Sequence, residues 1–135
     1  FFAEIWFMEL LFDTHTFIWW SIAQERLSSK VSSLLSSTSN KIFLSTASAW
    51  EIQIKLQLGK LRLNISPVEL IKNQITINGL QILPIDLEHI WKLAVLEHHH
   101  RDPFDRILIA QSISEVMPIL SIDKVFDLYP VQKIW

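Results

Sequence analysis

Short apolar runs alternate along this chain with longer segments whose apolar residues recur at helical spacing, and this alternation constrains the fold most. Strands that alternate with helices predict right-handed crossovers and a mostly parallel sheet covered on both faces. The expected fold class is therefore α/β, a three-layer α/β/α sandwich with a mostly parallel central sheet. The predicted strands are Leu10–Phe12, Ile42–Ser45, Leu80–Leu83, Ile119–Ile122 and Val131–Ile134.

The intervening segments carry helix start and stop signals. Ser66 followed by Pro67 is typical of a helix start, and Gly59 and Gly79 each follow the last periodic residue of a helix. Asp86 is expected to cap another helix, and His98–Pro103 is expected to be a polar loop. The remaining predicted helices are Thr14–Ala23, Leu27–Ser39, Thr46–Leu58, a helix from Ser66–Pro67 to Asn78, and Phe104–Glu115.

Length and composition predict one domain over residues 8–135, with Phe1–Phe7 as an apolar extension ahead of Met8, the expected original start. A chain without cysteine has no disulfide, thiolate metal site or cysteine nucleophile, which fits a reducing, cytoplasmic location. No apolar run approaches the roughly 18 residues of a membrane helix, so no membrane association is expected. A net charge of -2 gives no field that holds nucleic acid by charge alone.

Acidic residues follow the predicted strands at one edge of the sheet. Asp13 and Asp123 come directly after buried strands, Glu51 lies early in the helix after the second strand, and Asp105 lies in a helix's first turn. Because ligands of open α/β sheets bind at the carboxyl ends of strands, we expect these four carboxylates to meet. Such a cluster is stabilised by a hard, oxygen-liganded cation, Mg²⁺ or Mn²⁺. Supporting hydroxyls are expected from Thr14 and Ser121.

Each candidate also has a purely structural interpretation. Asp13 and Asp105 can be helix caps, Glu51 can pair with Lys55 one turn later, and Asp123 can be a turn residue. The tract from His98 to Asp102 can be a zinc or nickel site or simply a loop, and the interpretation that Asp102 shapes the loop and caps the helix is favoured. Arg101 and Arg106 are candidates for salt bridges to the acids or for contacts to substrate phosphates. Trp19, Trp20, Trp50 and Trp91 are interpreted as core or interface residues rather than base-stacking platforms.

Four segments of the chain resemble PIN-domain proteins, and within them the VapC-type toxins of bacterial type II toxin–antitoxin modules. The resemblance implies a Mg²⁺- or Mn²⁺-dependent ribonuclease whose acidic site comprises Asp13, Glu51, Asp105 and Asp123. It also implies an RNA substrate, a cognate antitoxin and a homodimer. The segments that carry it are Leu10–Trp20, Ser45–Lys55, His99–Gln111 and Ser121–Asp123.

From the residues themselves, the expected reaction is metal-assisted hydrolysis of a phosphodiester. A receiver-like signalling domain is an alternative, since it also binds Mg²⁺ in an acidic pocket, but it needs a second acid near Asp13, for which Glu9 is the candidate. A catalytically silent binding module with the same fold is a third hypothesis. An exposed apolar patch near Trp19, Trp20 and the helix at Leu27–Leu35 is expected to receive an amphipathic antitoxin helix.

Overall fold

A computed structural model describes residues 7–135, so the expected extension lies outside the described residues apart from the exposed Phe7. Five strands form one sheet with the order β3-β2-β1-β4-β5, and every neighbouring pair is parallel. This arrangement confirms the predicted fold class. The strands are β1 (Glu9–Phe12), β2 (Lys41–Ser45), β3 (Gln81–Leu83), β4 (Ile119–Leu120) and β5 (Lys133–Ile134).

Six α-helices occur within residues 7–135, at the places where helical periodicity predicts them. Short 3₁₀ turns at Gln24–Arg26 and Lys124–Leu128 supplement them. The helix Pro67–Asn78 begins after the N-cap Ser66 and ends at Gly79, as predicted, and Gly79 has a left-handed φ of 69° that favours glycine. The helices are α1 (Thr14–Ile22), α2 (Ser29–Ser36), α3 (Thr46–Gln57), α4 (Pro67–Asn78), α5 (Leu87–Leu93) and α6 (Pro103–Glu115).

Three of the predicted elements are longer than the observed ones by more than one residue. Helix α2 starts only at Ser29 because the Ser28 side chain caps it, accepting from the backbone N–H of Val31. Strand β4 stops at Leu120, although the Ser121 N–H still bonds to the carbonyl of Ile134, and Ile122 is not a strand residue and is 51% exposed. Strand β5 likewise comprises Lys133 and Ile134 alone.

The two faces of the sheet carry separate apolar clusters, as the alternation of strand side chains requires. Leu10 and Phe12 of β1 pack on one face with residues of α1, α2, α3 and α4. Ile119 of β4 packs on the other face with Leu108 of α6, and Leu11 lies on Leu83 and Met117. No helix in residues 7–135 is long and apolar enough to cross a bilayer.

The carboxyl edge of the sheet is where the chain turns directly from strand into helix. Asp13 separates β1 from α1, and Ser45 ends β2 while its side chain caps α3. The backbone N–H of Asp13 bonds to the carbonyl of Leu120, which places the end of β1 beside the end of β4. Polar residues at these junctions therefore face one another across the central strands.

Candidate active site

A cleft of about 350 Å³ opens at the carboxyl edge of the sheet. All four acids singled out from the sequence line it, together with a fifth carboxylate, Asp102. The cations on its walls are Lys55 and, when protonated, His15. The lining residues are Asp13, His15, Trp19, Glu51, Lys55, Asp102, Asp105, Ile122 and Asp123.

Asp13 is held in one orientation by two hydrogen bonds at the centre of the sheet edge. Its Oδ1 accepts from the backbone N–H of Thr16 at 2.7 Å, so it caps α1, while its Oδ2 accepts from the Ser121 hydroxyl. Burial raises the pKa of Asp13, and the hydrogen bonds from Ser121 and Thr16 oppose that rise. Capping and a functional role are therefore compatible, because a cap uses only part of the carboxylate's acceptor capacity.

Glu51 is buried on the first half of α3, 4% exposed, and both of its oxygens have partners. The Thr14 hydroxyl donates to Oε1 at 2.6 Å and lies 3.0 Å from Ser48 Oγ. Lys55 Nζ lies 2.8 Å from Oε2, so the pairing expected one turn along the helix is present. Because Glu51 is buried, this ion pair differs from the weak surface contact considered from the sequence.

Asp105 lies in the first turn of α6, where Asp102 is the N-cap and accepts from the backbone N–H of Phe104 at 2.8 Å. Its Oδ2 lies 2.7 Å from His100 Nε2. Burial, followed by the negative charge of Asp102, raises the pKa of Asp105 to about 7. His100 opposes this rise, and the charges of Glu51 and Asp13 add to it. Near pH 7 this carboxyl group is therefore about half protonated, and a cation in the cleft would favour its ionised form.

Asp123 follows β4 and caps the 3₁₀ turn, with its Oδ1 accepting from the backbone N–H of Val125 at 3.0 Å. Its own N–H donates to Ser121 Oγ at 3.0 Å, so one hydroxyl joins Asp123 to Asp13. Ligand atoms of His100, Asp105 and Asp123 lie within 4.8 Å of one another. This group supplies two carboxylates and one imidazole nitrogen, and Asp13 and Glu51 line the same cleft. A set of ligands rich in carboxylate oxygens fits a hard divalent cation.

The two arginines considered from the sequence do not line this cleft. Arg106 is buried, and its guanidinium donates to the carbonyls of Glu97 at 2.9 Å and Leu93 at 3.3 Å. Those bonds connect the end of α5 and the loop after it to α6, so Arg106 stabilises the packing of this loop. Arg101 is exposed and lines a separate cavity with His98 and Arg106.

The histidine tract is divided among different partners. His99 Nε2 lies 2.7 Å from Glu97 Oε2, whereas His100 pairs with Asp105. The backbone N–H groups of both residues donate to the Tyr129 hydroxyl, at 2.9 and 3.0 Å, and that hydroxyl donates to the carbonyl of Glu97 at 2.8 Å. The tract therefore fixes the conformation of the loop around Tyr129, and the His100 side chain is directed toward Asp105 at the acidic cleft.

Sequence reasoning missed several cleft residues. His15 and Trp19 lie one helical turn apart, so a helical wheel of α1 places the two on one face but does not show that this face lies at the acids. His100 was read only as part of a tract. Ser48, three residues before Glu51 on the same helical face, was not considered, although it lies 3.0 Å from the Thr14 hydroxyl.

Comparisons with known proteins give one family and several similar folds. The family model described as PIN domain matches residues 10–131. A search of curated proteins gives no significant match. VapBC2 of Rickettsia felis bound to a promoter DNA fragment is 14% identical, with 94% of this chain and 98% of that chain covered and a TM-score of 0.70.

Two further crystal structures have a similar fold. FitAcB of Neisseria gonorrhoeae is 16% identical, with 93% of this chain and 96% of that chain covered and a TM-score of 0.63. DNA-bound VapBC of Salmonella typhimurium is 12% identical, with 94% and 97% covered and a TM-score of 0.68. At these identities, the likenesses to solved structures show the fold.

Proposed function

The chain belongs to the PIN-domain family, and from this premise we propose that it is a cytoplasmic, Mg²⁺- or Mn²⁺-dependent endoribonuclease of the VapC type, a toxin neutralised by a cognate antitoxin. PIN domains are nucleases, which supports a hydrolase that acts on nucleic acid. The observation that carries the proposal is the convergence of Asp13, Glu51, Asp105 and Asp123 in one cleft. RNA as the substrate and the divalent ion are parts of the proposal.

Asp13, Asp105 and Asp123 are the residues proposed to hold the cation, with Glu51 as a further ligand. When bound, such an ion polarises a phosphoryl oxygen and lowers the pKa of a coordinated water. The Ser121 hydroxyl fixes Asp13 and accepts from the backbone of Asp123, so the carboxylates are oriented before substrate arrives. This preorganisation reduces the rearrangement that binding requires.

Glu51 is proposed to orient the attacking water as well. Thr14 fixes its Oε1, and Lys55 at 2.8 Å from Oε2 orients the carboxylate and brings a cation close to an incoming phosphate. His100, 2.7 Å from Asp105, is proposed to hold that side chain at the cleft while Tyr129 fixes the loop behind it. A hydrolysis of this kind breaks a phosphodiester with water and needs no covalent enzyme intermediate.

An antitoxin partner is proposed from the described surface and from the neighbouring folds, which include a member of the VapBC family of toxin–antitoxin systems from Mycobacterium tuberculosis and a toxin–antitoxin complex from Klebsiella pneumoniae. A groove of about 400 Å³ runs beside α2, and Leu27 and Leu35 lie in its wall. Trp20 also lines it, but this residue is 6% exposed and stacks on Phe12 with ring centroids 5.1 Å apart, so it belongs mainly to the core. An amphipathic helix laid in this groove would bury the leucines.

The antitoxin proposal is tested by co-expressing the chain with the product of an adjacent small gene. Leu27→Ala and Leu35→Ala should weaken the complex, whereas Leu58→Ala, at an exposed residue outside the groove, should not. Equal affinity in all three folded variants would place the antitoxin elsewhere. A homodimer is also proposed, and the exposed Trp91 of α5 and Val95 just after it offer apolar area for it.

The receiver-like alternative loses its main support. Glu9 begins β1 and Asp13 follows its end, so the two carboxylates lie at opposite edges of the sheet. In addition, β4 lies beside β1, whereas the flavodoxin-like order of receivers places β3 there.

The nuclease proposal is tested by incubating purified protein with total RNA and either Mg²⁺ or Mn²⁺. Asp105→Asn is the inactive variant and Asp127→Asn, an exposed acid outside the cleft that pairs with Lys133, is the matched control. Cleavage by the wild type and control but not by Asp105→Asn supports the proposal. A folded wild type that leaves RNA intact with either ion would favour the silent binding module.

A further inference from the structure

One wall of the acidic cleft is aromatic. Trp19 lies one helical turn after His15 on α1, with their ring centroids 6.2 Å apart, and both residues line the cleft that contains the carboxylates. The adjacent Trp20 has a clear structural reason to be aromatic, because it is 6% exposed and packs against Phe12 and Phe17. Trp19 faces the other way and keeps part of its indole accessible.

The Trp19 indole is held from two further sides. The ring of Trp135 approaches it edge-on, with centroids 5.8 Å apart and planes at 66°. The Arg26 guanidinium carbon lies 5.7 Å from the centre of the indole, and Arg26 is an exposed side chain. A fixed aromatic surface loses little conformational entropy when a planar ligand stacks on it.

A local cation beside this wall, rather than the net charge or the acidic cleft, supports a nucleic-acid occupant. The chain as a whole carries a net charge of -2, so a polyanion gains little from the overall field and depends on local contacts. Arg26 puts a cation beside the aromatic surface, and Lys55, which pairs with Glu51 at 2.8 Å, lies in the same cleft. Proteins that bind single strands combine such cations with aromatic rings on which the bases stack.

We propose that His15 and Trp19 form a stacking site for an unpaired base of the RNA, next to the phosphate at the carboxylates, and that Arg26 contacts a neighbouring phosphate. This inference rests on the proposed nuclease function and adds to it a base-binding subsite on α1. A base inside a duplex is stacked on its neighbours and presents no free face to the indole. Stacking tolerates every base, so the site selects unpaired structure more than sequence.

The test measures binding of a short, fluorescein-labelled single-stranded RNA by fluorescence anisotropy, with Ca²⁺ as the divalent ion. Trp19→Ala should weaken binding about tenfold, because a stacked base contributes on that scale. Trp19→Phe, which keeps an aromatic face, should recover most of the loss. Trp50→Ala is the matched control, since Trp50 is 62% exposed and packs edge-on to Phe104 outside the cleft.

A second series of probes separates stacking from a merely structural role of the tryptophan. Each probe has one base removed to leave an abasic position. In the wild type, one position should lose affinity when its base is removed, and in Trp19→Ala that same position should make no difference. Abasic penalties that are identical in the two proteins would overturn the stacking site, and so would unchanged affinity of Trp19→Ala.

The outcomes also distinguish this inference from the proposed function. A wild type that cleaves RNA while Trp19→Ala binds as tightly as the wild type removes the stacking site and leaves the nuclease. A wild type that binds RNA through Trp19 but cuts nothing with Mg²⁺ or Mn²⁺ keeps the stacking site and removes the nuclease. A wild type that neither binds nor cuts RNA removes both.

Discussion

Asp105 provides the sharpest test of the electrostatics of the cleft. Substitution by asparagine keeps the size of the side chain and removes its charge. In the metal-free wild type the pKa of Asp105 is raised to about 7, mainly by burial and then by the charge of Asp102, against the opposing influence of His100. At about pH 8 this carboxylate is therefore ionised at a cost to the folded state, and the asparagine variant avoids that cost.

The size and sign of the effect follow from the pKa change. A rise from 3.8 to about 7 sets an upper bound of roughly 4 kcal/mol at about 1.4 kcal/mol per pKa unit. Loss of the charged contact to His100 reduces this, so we expect Asp105→Asn to be about 1–3 kcal/mol more stable near pH 8. Because the folded state binds more protons than the unfolded state, wild-type stability should fall as pH rises from about 4 to about 7.

The assay is urea unfolding in EDTA at about pH 5 and about pH 8, with Asp127→Asn as the control for removing an exposed carboxylate. The stability advantage of Asp105→Asn should be large near pH 8 and small near pH 5, and the control should show no such pH dependence. A variant that is less stable than the wild type near pH 8 would refute the reasoning, because Asp105 would then stabilise the apo fold.

Three further outcomes are expected. Asp13→Asn and Asp123→Asn should stay folded, since each variant keeps an oxygen that accepts the capping N–H, but the rate of RNA cleavage should fall at least a hundredfold. If a folded variant still cleaves RNA, the substituted residue takes no part in the mechanism. Millimolar Mg²⁺ should raise the melting temperature of the wild type more near pH 8 than near pH 5, and at a hundredfold excess over Kd the bound ion should add about 2.7 kcal/mol to the free energy of unfolding. A melting temperature that does not change with Mg²⁺ would count against the metal site. Tyr129→Phe should lower the free energy of unfolding by about 1–3 kcal/mol and reduce RNA cleavage, because the loop that directs His100 to Asp105 loses its central hydroxyl. Unchanged cleavage would show that this loop does not support the site.

The sheet could be predicted because its signals are local. Buried parallel strands appear in a sequence as continuous apolar runs, and residues such as Ser66 and Gly79 mark the start and the end of α4. The placement of Asp13 and Asp123 at strand ends then follows from the rule that parallel strands end at one edge. Element ends were less predictable, since β4 stops at Leu120 although the apolar Ile122 follows.

The environment of the acids depends on contacts between distant residues, which periodicity does not report. The Arg106 guanidinium looked available to substrate but is occupied by the carbonyls of Glu97 and Leu93. Exposed apolar area near Trp20 was expected from the amount of tryptophan, yet Trp20 is buried and larger exposure lies at Trp91. Only the three-dimensional arrangement shows that Trp19 and the carboxylates share one cleft.

Divalent-ion-dependent cleavage of RNA by the purified chain is the measurement that tests the central claim most directly. Wild type and Asp127→Asn should degrade RNA in Mg²⁺ or Mn²⁺ and stop when EDTA is added, while Asp105→Asn should be inactive although folded. Cleavage that persists in EDTA, or equal cleavage by Asp105→Asn and wild type, would contradict the account of a carboxylate-held metal in this cleft.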